Sequence, residues 1–171
     1  MQSIYLAGGC FWCTEAIFLK IKGITKVTSG YIGGNTINPS YADICKGNSG
    51  HAEAIKCEYN ENVITLEEIL NVFFRIHDAT QLNRQGNDIG TQYRSAIFID
   101  DNKKEKIVKD FIKKLESMHS CKIVTEVSNK NNFYKAEEYH QNYFNKNPNS
   151  AYCKIIIIPK LELIKKNIFV K

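Results

Sequence analysis

An apolar run from Ile4 to Ala7 ends in Gly8-Gly9, and Cys10-Phe11-Trp12-Cys13-Thr14-Glu15 then leads into Ala16-Ile17-Phe18-Leu19, which can continue as a helix. This pattern predicts a buried strand that turns through two glycines into a helix, with Cys10 at the joint. Unpaired N–H groups and the positive end of the helix dipole favour an anion there. Such positions lower a cysteine pKa from about 8.5 toward neutrality. Cys10 and Cys13 also form a C-x-x-C pair around Trp12, the chain's single tryptophan. Taken alone, the stretch implies thiol chemistry and no particular reaction.

At 171 residues, one domain with a real core is the simplest expectation. The apolar and charged fractions, 43% and 24%, are those of an ordinary globular protein. The net charge of +5 is concentrated at one end. Lys154, Lys160, Lys165, Lys166 and Lys171 stand against Glu162 alone, leaving about +1 for the rest of the chain. That is the charge of a solvated basic tail, and without basic, aromatic-interleaved patches no nucleic-acid partner is expected. No apolar stretch is long enough for a membrane span and no signal-peptide pattern opens the chain, so a cytoplasmic protein is expected. Six irregularly spaced cysteines do not form a secreted disulfide framework.

Ile24 to Tyr31 has strand character and ends at Gly33-Gly34; a loop follows through Pro39 and Tyr41 to Gly50. Glu53 to Tyr59 alternates, and if Ile55, Cys57 and Tyr59 face inward then so does Glu53, where desolvation raises a carboxyl pKa. Thr65 to Glu68 reads as a capping box before an amphipathic helix through Leu66, Ile69, Leu70, Phe73, Phe74 and His77. The polar stretch Asp78 to Gln92 is a candidate functional loop. A strand from Tyr93 to Ile99, a helix from Asp101 to Met118, a strand from Lys122 to Val127 and a polar helix from Ala136 to Lys146 complete the reading. This irregular mixture implies an α+β fold, a two-layer sandwich with helices packed on a mixed or antiparallel sheet. Nothing resembling a heptad seam demands a partner, so a monomer is expected.

Among the candidate sites, the setting of Cys10 favours a reactive thiol over an inert buried one. Cys13 is either a thiol that resolves oxidised Cys10 or a packing residue. Only these two cysteines have metal-ligand spacing, and no second pair answers them, so no metal is expected. Glu53, inward-facing with no visible partner, is a candidate general acid. His77 reads as a core histidine, and His140 as orienting or structural.

Several stretches together carry a resemblance. They are Gly9-Cys10-Phe11-Trp12, Gly30-Tyr31-Ile32-Gly33-Gly34, Asn38-Pro39-Ser40-Tyr41, Gly50-His51-Ala52-Glu53, His77-Asp78, Arg84 to Ser95, and Ala136 to Gln141. In this order they resemble the A-type peptide methionine sulfoxide reductases. The resemblance covers residues 1–158 as the catalytic domain, with 159–171 a basic tail, and it implies a ferredoxin-like core. It further implies that Cys10 attacks the sulfoxide sulfur, that Glu53 protonates the sulfoxide oxygen, and that Tyr41 and Tyr93 hold that oxygen while Asp88 shapes the site. Phe11 and Trp12 are then the methyl pocket, and Gly50 and His51 belong to the substrate-binding set. The family acts on the S epimer, leaving methionine and a Cys10 sulfenic acid.

A second thiol condenses with that sulfenic acid. Asn147 to Cys153 resembles the segment that carries the resolving cysteine in other members, so Cys153 is the favoured resolver; Cys13 is the alternative, because some members resolve within C-x-x-C. No cofactor is expected to be bound. Reduced thioredoxin is the implied electron donor, with dithiothreitol as its substitute in vitro, and oxidised proteins and free methionine sulfoxide are the implied substrates. The competing enzyme reading is a thioredoxin-like thiol–disulfide oxidoreductase, which gives no part to Glu53 or to the Arg84 to Ser95 stretch.

Overall fold

The structure, a computed structural model, describes residues 1–129 and 132–165. In chain order β1 (Gln2–Gly8) turns into α1 (Phe11–Phe18), β2 (Ile24–Ile32) leads to the short α2 (Tyr41–Cys45), and β3 (Ala52–Tyr59) precedes α3 (Leu66–Ile76). A small hairpin, β4 (Arg84–Gln85) and β5 (Asp88–Ile89), comes before β6 (Ser95–Ile99) and the long α4 (Asn102–His119). The chain then adds β7 (Glu126–Asn129), β8 (Tyr134–Lys135), α5 (Tyr143–Lys146), a π-helical turn over Cys153–Ile157 and α6 (Ile158–Lys165).

The main sheet has six strands in the order β7-β6-β1-β3-β2-β8, antiparallel throughout except for the parallel β6–β7 pair. Its middle, β6-β1-β3-β2, is the ferredoxin-like arrangement in which β3 splits the β1-α1-β2 unit. The larger core cluster joins this sheet to α1, α3 and α4 through Leu6, Ile17, Phe18, Ile55, Leu70, Phe73, Ile97 and Val108. On the opposite sheet face Tyr5, Ala7, Ala52, Ala54, Ala96 and Phe98 make a thinner layer with Phe133 against it. The α+β, two-layer expectation therefore holds.

Most predicted elements fall within a residue or two of their places, and α3 is capped as read, with Thr65 and Glu68 exchanging hydrogen bonds at 2.8 and 3.2 Å. Three expectations need correction. The strand expected from Lys122 forms only over Glu126–Asn129, where it meets β6 in parallel register. Tyr93 is not in a strand; it ends a 3₁₀ turn, Thr91–Tyr93, ahead of β6. The helix expected from Ala136 to Lys146 breaks into a 3₁₀ turn (Glu138–His140) and α5, with Asn142 left-handed at φ 56°. Gln141 explains the break. Its amide accepts from the Ser29 N–H at 3.0 Å and donates to the Ser29 carbonyl at 2.9 Å, so the chain opens to let it cap the β2 edge.

Beyond Pro159 the chain is helical to Lys165, and Ile164 is buried. The rest of the basic tail, 166–171, lies outside the described residues. No helix among the described residues is long and apolar enough to cross a membrane.

Candidate active site

The turn from β1 into α1 is built on Gly9 at φ 89°, where a Cβ would come within 2.7 Å of Gln85 Cγ. Two constraints therefore select glycine, the left-handed backbone and the close approach of the β4 strand. Cys10 follows as the residue that caps α1, half-buried. Phe11, the first helical residue, donates its N–H to Glu53 Oε2 at 3.1 Å. An orphan helix N–H thus fixes a buried carboxyl beside the cysteine.

Glu53 is 2% exposed, opposite Tyr31 in the β2–β3 register. Burial is the main reason its pKa is pushed up to about 8; the charge of Asp88 adds to the rise, while hydrogen bonds from Phe11 and Cys10 oppose it. At neutral pH this carboxyl holds its proton.

The expectation for Cys10 is reversed. Its thiol pKa is raised, first by burial and then by Glu53 and Cys13, with a Tyr152 hydrogen bond and the Trp12 N–H pulling the other way. Magnitudes explain the outcome. A helix dipole contributes about 0.3–1 kcal/mol, less than one pKa unit, whereas burial moves a pKa by up to about 3–5 units when it is complete, so the partial burial of Cys10 is enough to outweigh the dipole. In the resting site, then, the thiol keeps its proton.

Tyr41 opens α2, which is started by a Ser40–Asp43 capping box, and Tyr93 lies in the turn before β6. Burial leads the rise in both hydroxyl pKa values. A Cys45 hydrogen bond and the Glu53 charge add to it at Tyr41, Glu53 and Cys10 at Tyr93. Both therefore remain protonated, within electrostatic reach of Glu53. Asp88, on β5, accepts from Tyr152 Oη at 3.2 Å. The structure thus gathers Cys10, Glu53, Tyr41, Tyr93 and Asp88, with Phe11 and Trp12 beside them.

His51 does not join this group. Its Nδ1 accepts from the Gly34 N–H at 3.1 Å and its Nε2 meets the Thr36 carbonyl at 2.8 Å, so both ring nitrogens are used in holding the loop after β2. The Gly50 carbonyl accepts from Arg94 at 3.1 Å, another scaffold contact. His77 is a satisfied core histidine, with Nδ1 on the Phe73 carbonyl at 2.7 Å and Nε2 on Ser95 Oγ at 2.8 Å.

All six cysteines are free. Cys13 is buried with its Sγ 3.6 Å from Tyr152 Oη, and the fully buried Cys153 shares a small cluster with Cys13, Ala16 and Ile157. Among the described residues no three His, Cys, Asp or Glu side chains gather as metal ligands.

Three contributors escaped the sequence reading. Tyr152 shares its hydroxyl among Asp88, Cys13 and Cys10. Glu137 accepts from Tyr31 Oη at 2.8 Å and from the Tyr41 N–H at 2.7 Å. Glu15 accepts the N–H groups of Asn142 and Tyr143, seating that segment against α1. Glu137 and Tyr152 lie inside stretches that carried the resemblance, but spacing along the chain does not say which strand edge or helix they reach.

Residues 2–171 match the family model for peptide methionine sulfoxide reductase. The chain is 49% identical over 166 residues to peptide methionine sulfoxide reductase MsrA of Psychrobacter cryohalolentis, covering 97% of this chain and 95% of that one. With MsrA of Vesicomyosocius okutanii it shares 53% over 162 residues, 95% and 97% of the two chains. Among solved structures, Mxr1 of Saccharomyces cerevisiae in reduced form aligns with a TM-score of 0.84 at 39% identity, over 89% of this chain and 88% of that one. The same yeast protein in an unusual oxidized form gives 0.67 at 39% identity, over 89% and 85% of the two chains. Its complex with Trx2 gives 0.61 at 30%, over 83% and 84%. A cysteine at a strand-to-helix joint, a protonated carboxyl beside it and two tyrosine donors are thus set in a chain that belongs to the peptide methionine sulfoxide reductase family, as an MsrA enzyme.

Proposed function

We propose that this enzyme reduces the S epimer of methionine sulfoxide, in oxidised proteins and as the free amino acid, with Cys10 as nucleophile and Glu53 as general acid. The carrying observation is the buried, protonated Glu53 carboxyl, held by the Phe11 N–H within hydrogen-bonding reach of the Cys10 thiol. Cys10 sulfur attacks the sulfoxide sulfur while Glu53 protonates the oxygen, and the thiol proton replaces the one Glu53 gives up. The S–O bond breaks as an S–S bond forms between Cys10 and the methionine sulfur and the oxygen leaves as water; water then adds to the Cys10 sulfur as that S–S bond breaks, leaving methionine and a Cys10 sulfenic acid with no net change in protons. Tyr41 and Tyr93 donate to the oxygen as it gains charge, Asp88 orders the mouth of the site through Tyr152, and Phe11 and Trp12 receive the methyl group.

Condensation of the sulfenic acid with a second thiol releases water and forms a disulfide. Cys153 is the favoured resolver and Cys13 the alternative; Cys13 interacts with Cys10 and packs in the same cluster as Cys153. Thioredoxin is the proposed reductant, a reading supported by the yeast relative solved with Trx2. Turnover of matched S- and R-sulfoxide peptides with dithiothreitol tests the proposal. Reduction of the S peptide alone, lost in Cys10→Ser, is expected. Equal rates on both epimers, or turnover by Cys10→Ser, would overturn it.

A further inference from the structure

The single tryptophan of the chain is held from three sides. Tyr143 stacks on one face with ring centroids 3.7 Å apart and planes 4° from parallel. Tyr152 meets it edge-on at 5.6 Å, and the indole N–H donates to His140 Nδ1 at 3.0 Å. One indole face is thereby taken by protein.

His140 touches more than Trp12. Its ring centroid lies 5.0 Å from that of Phe11, and it meets Tyr41 in an edge arrangement at 4.5 Å. Three side chains assigned to the substrate, two for the methyl group and one for the oxygen, therefore share one neighbour that is itself 1% exposed.

The chemistry of that neighbour is fixed by its partners. An indole N–H can only donate, so Nδ1 must accept, and the neutral ring carries its proton on Nε2. Burial lowers the His140 pKa against the opposing pull of Glu137, which maintains this accepting form. Nε2 has no hydrogen-bond partner among the described residues, and Glu137 Oε2 stands 3.9 Å away. That carboxylate holds the Tyr41 N–H with its other oxygen. Through its ring contact with Tyr41, His140 thus links the wall formed by Trp12 to the start of α2, while Glu137 holds the Tyr41 N–H beside it.

We propose that His140 is a positioning residue that sets the methyl pocket of Phe11 and Trp12 at a fixed separation from the oxygen site at Tyr41, and so governs epimer discrimination. The proposal rests on the substrate roles assigned above to Phe11, Trp12 and Tyr41. Two epimers present the same groups to the enzyme and differ in where methyl and oxygen stand around the sulfur. Preference is a difference of affinities, and it needs both subsites fixed relative to each other. A misplacement of about 1 Å is enough to cost a reaction about 10²-fold.

The test compares His140→Phe, His140→Asn and His140→Gln by Trp12 fluorescence and by kcat and KM on S- and R-sulfoxide peptides. Phenylalanine keeps the ring and removes the acceptor. Asparagine can return an acceptor near the Nδ1 position, whereas the longer glutamine places it elsewhere. His140→Phe is expected to shift Trp12 emission, to lower kcat/KM for the S peptide by about 10–10²-fold, chiefly through KM, and to narrow the S-to-R ratio. His140→Asn should recover emission and ratio better than His140→Gln. Unchanged emission and ratio in His140→Phe would overturn the proposal; should that variant not fold, identical behaviour of the Asn and Gln variants would do so. Trp12→Ala separates the two levels, since full S preference in that variant would sink the pocket assignment itself, whatever the His140 variants do.

Discussion

Glu53 sets chemistry and stability against each other. Its ordinary carboxyl value is 4.5, and burial foremost lifts it to about 8 in the folded chain. Between those values the native state keeps a proton that the unfolded chain releases, so stability falls as pH rises through this window. Glu53→Gln retains a carbonyl acceptor for the Phe11 N–H and removes the titration. Urea unfolding at several pH values should show a flatter stability profile for this variant and, above the window, a protein more stable than wild type. Its turnover should fall by about 10²–10⁴-fold, the usual contribution of a general acid. In the wild type the same ionisation predicts that kcat/KM declines as pH rises through about 8, when the acid is lost. A flat kcat/KM across that range, or a variant with the wild-type stability profile, would remove Glu53 from this role.

At the scale of elements, β8 carries the segment of Glu137 and His140 to the site, and Gly30 makes its docking possible. Gly30 pairs with Lys135, and a Cβ there would run into the Tyr134 carbonyl oxygen and the Phe133 ring. Gly30→Ala should therefore lift β8 from the β2 edge, lower stability by about 1–3 kcal/mol and disturb Trp12. Unfolding curves and tryptophan emission check both effects; unaltered emission would mean that β8 does not position the segment. This element also marks where reading the sequence fails. The strand-to-helix joint at Cys10, the alternation of β3 and the capping of α3 were legible because each is local, written in period and cap. The break at Gln141 was not, since it depends on the backbone of Ser29 across the sheet edge. The Cys10 pKa direction was misjudged for a related reason. A helix start is visible in sequence, but the burial that outweighs it, and the Glu53 charge that adds to it, arise from packing between segments distant in the chain.

For the molecule as a whole, the question is which thiol resolves an oxidised Cys10 and how Cys153 would reach it. The six thiols are free, and the fold aligns with reduced yeast Mxr1 at a TM-score of 0.84 against 0.67 for its unusual oxidized form. In this state Cys153 is fully buried against Cys13 and opens a π-helical turn, Cys153–Ile157, that runs into α6. Extra-residue turns of this kind are rare and concentrate at functional sites. If Cys153 is the resolver, that turn must open while the sheet stays intact, because local openings draw on the least stable units of a fold. One equivalent of an S-sulfoxide peptide, turned over without reductant, should then accelerate amide exchange at 151–157 and leave β1, β3 and β6 protected. Mass mapping should find a Cys10–Cys153 bridge that persists in Cys13→Ser, and Cys153→Ser should show no acceleration. A Cys10–Cys13 bridge with unchanged exchange would assign resolution to Cys13. The disulfide offered to the reductant would then lie at the start of α1, and α6 would remain docked through the cycle.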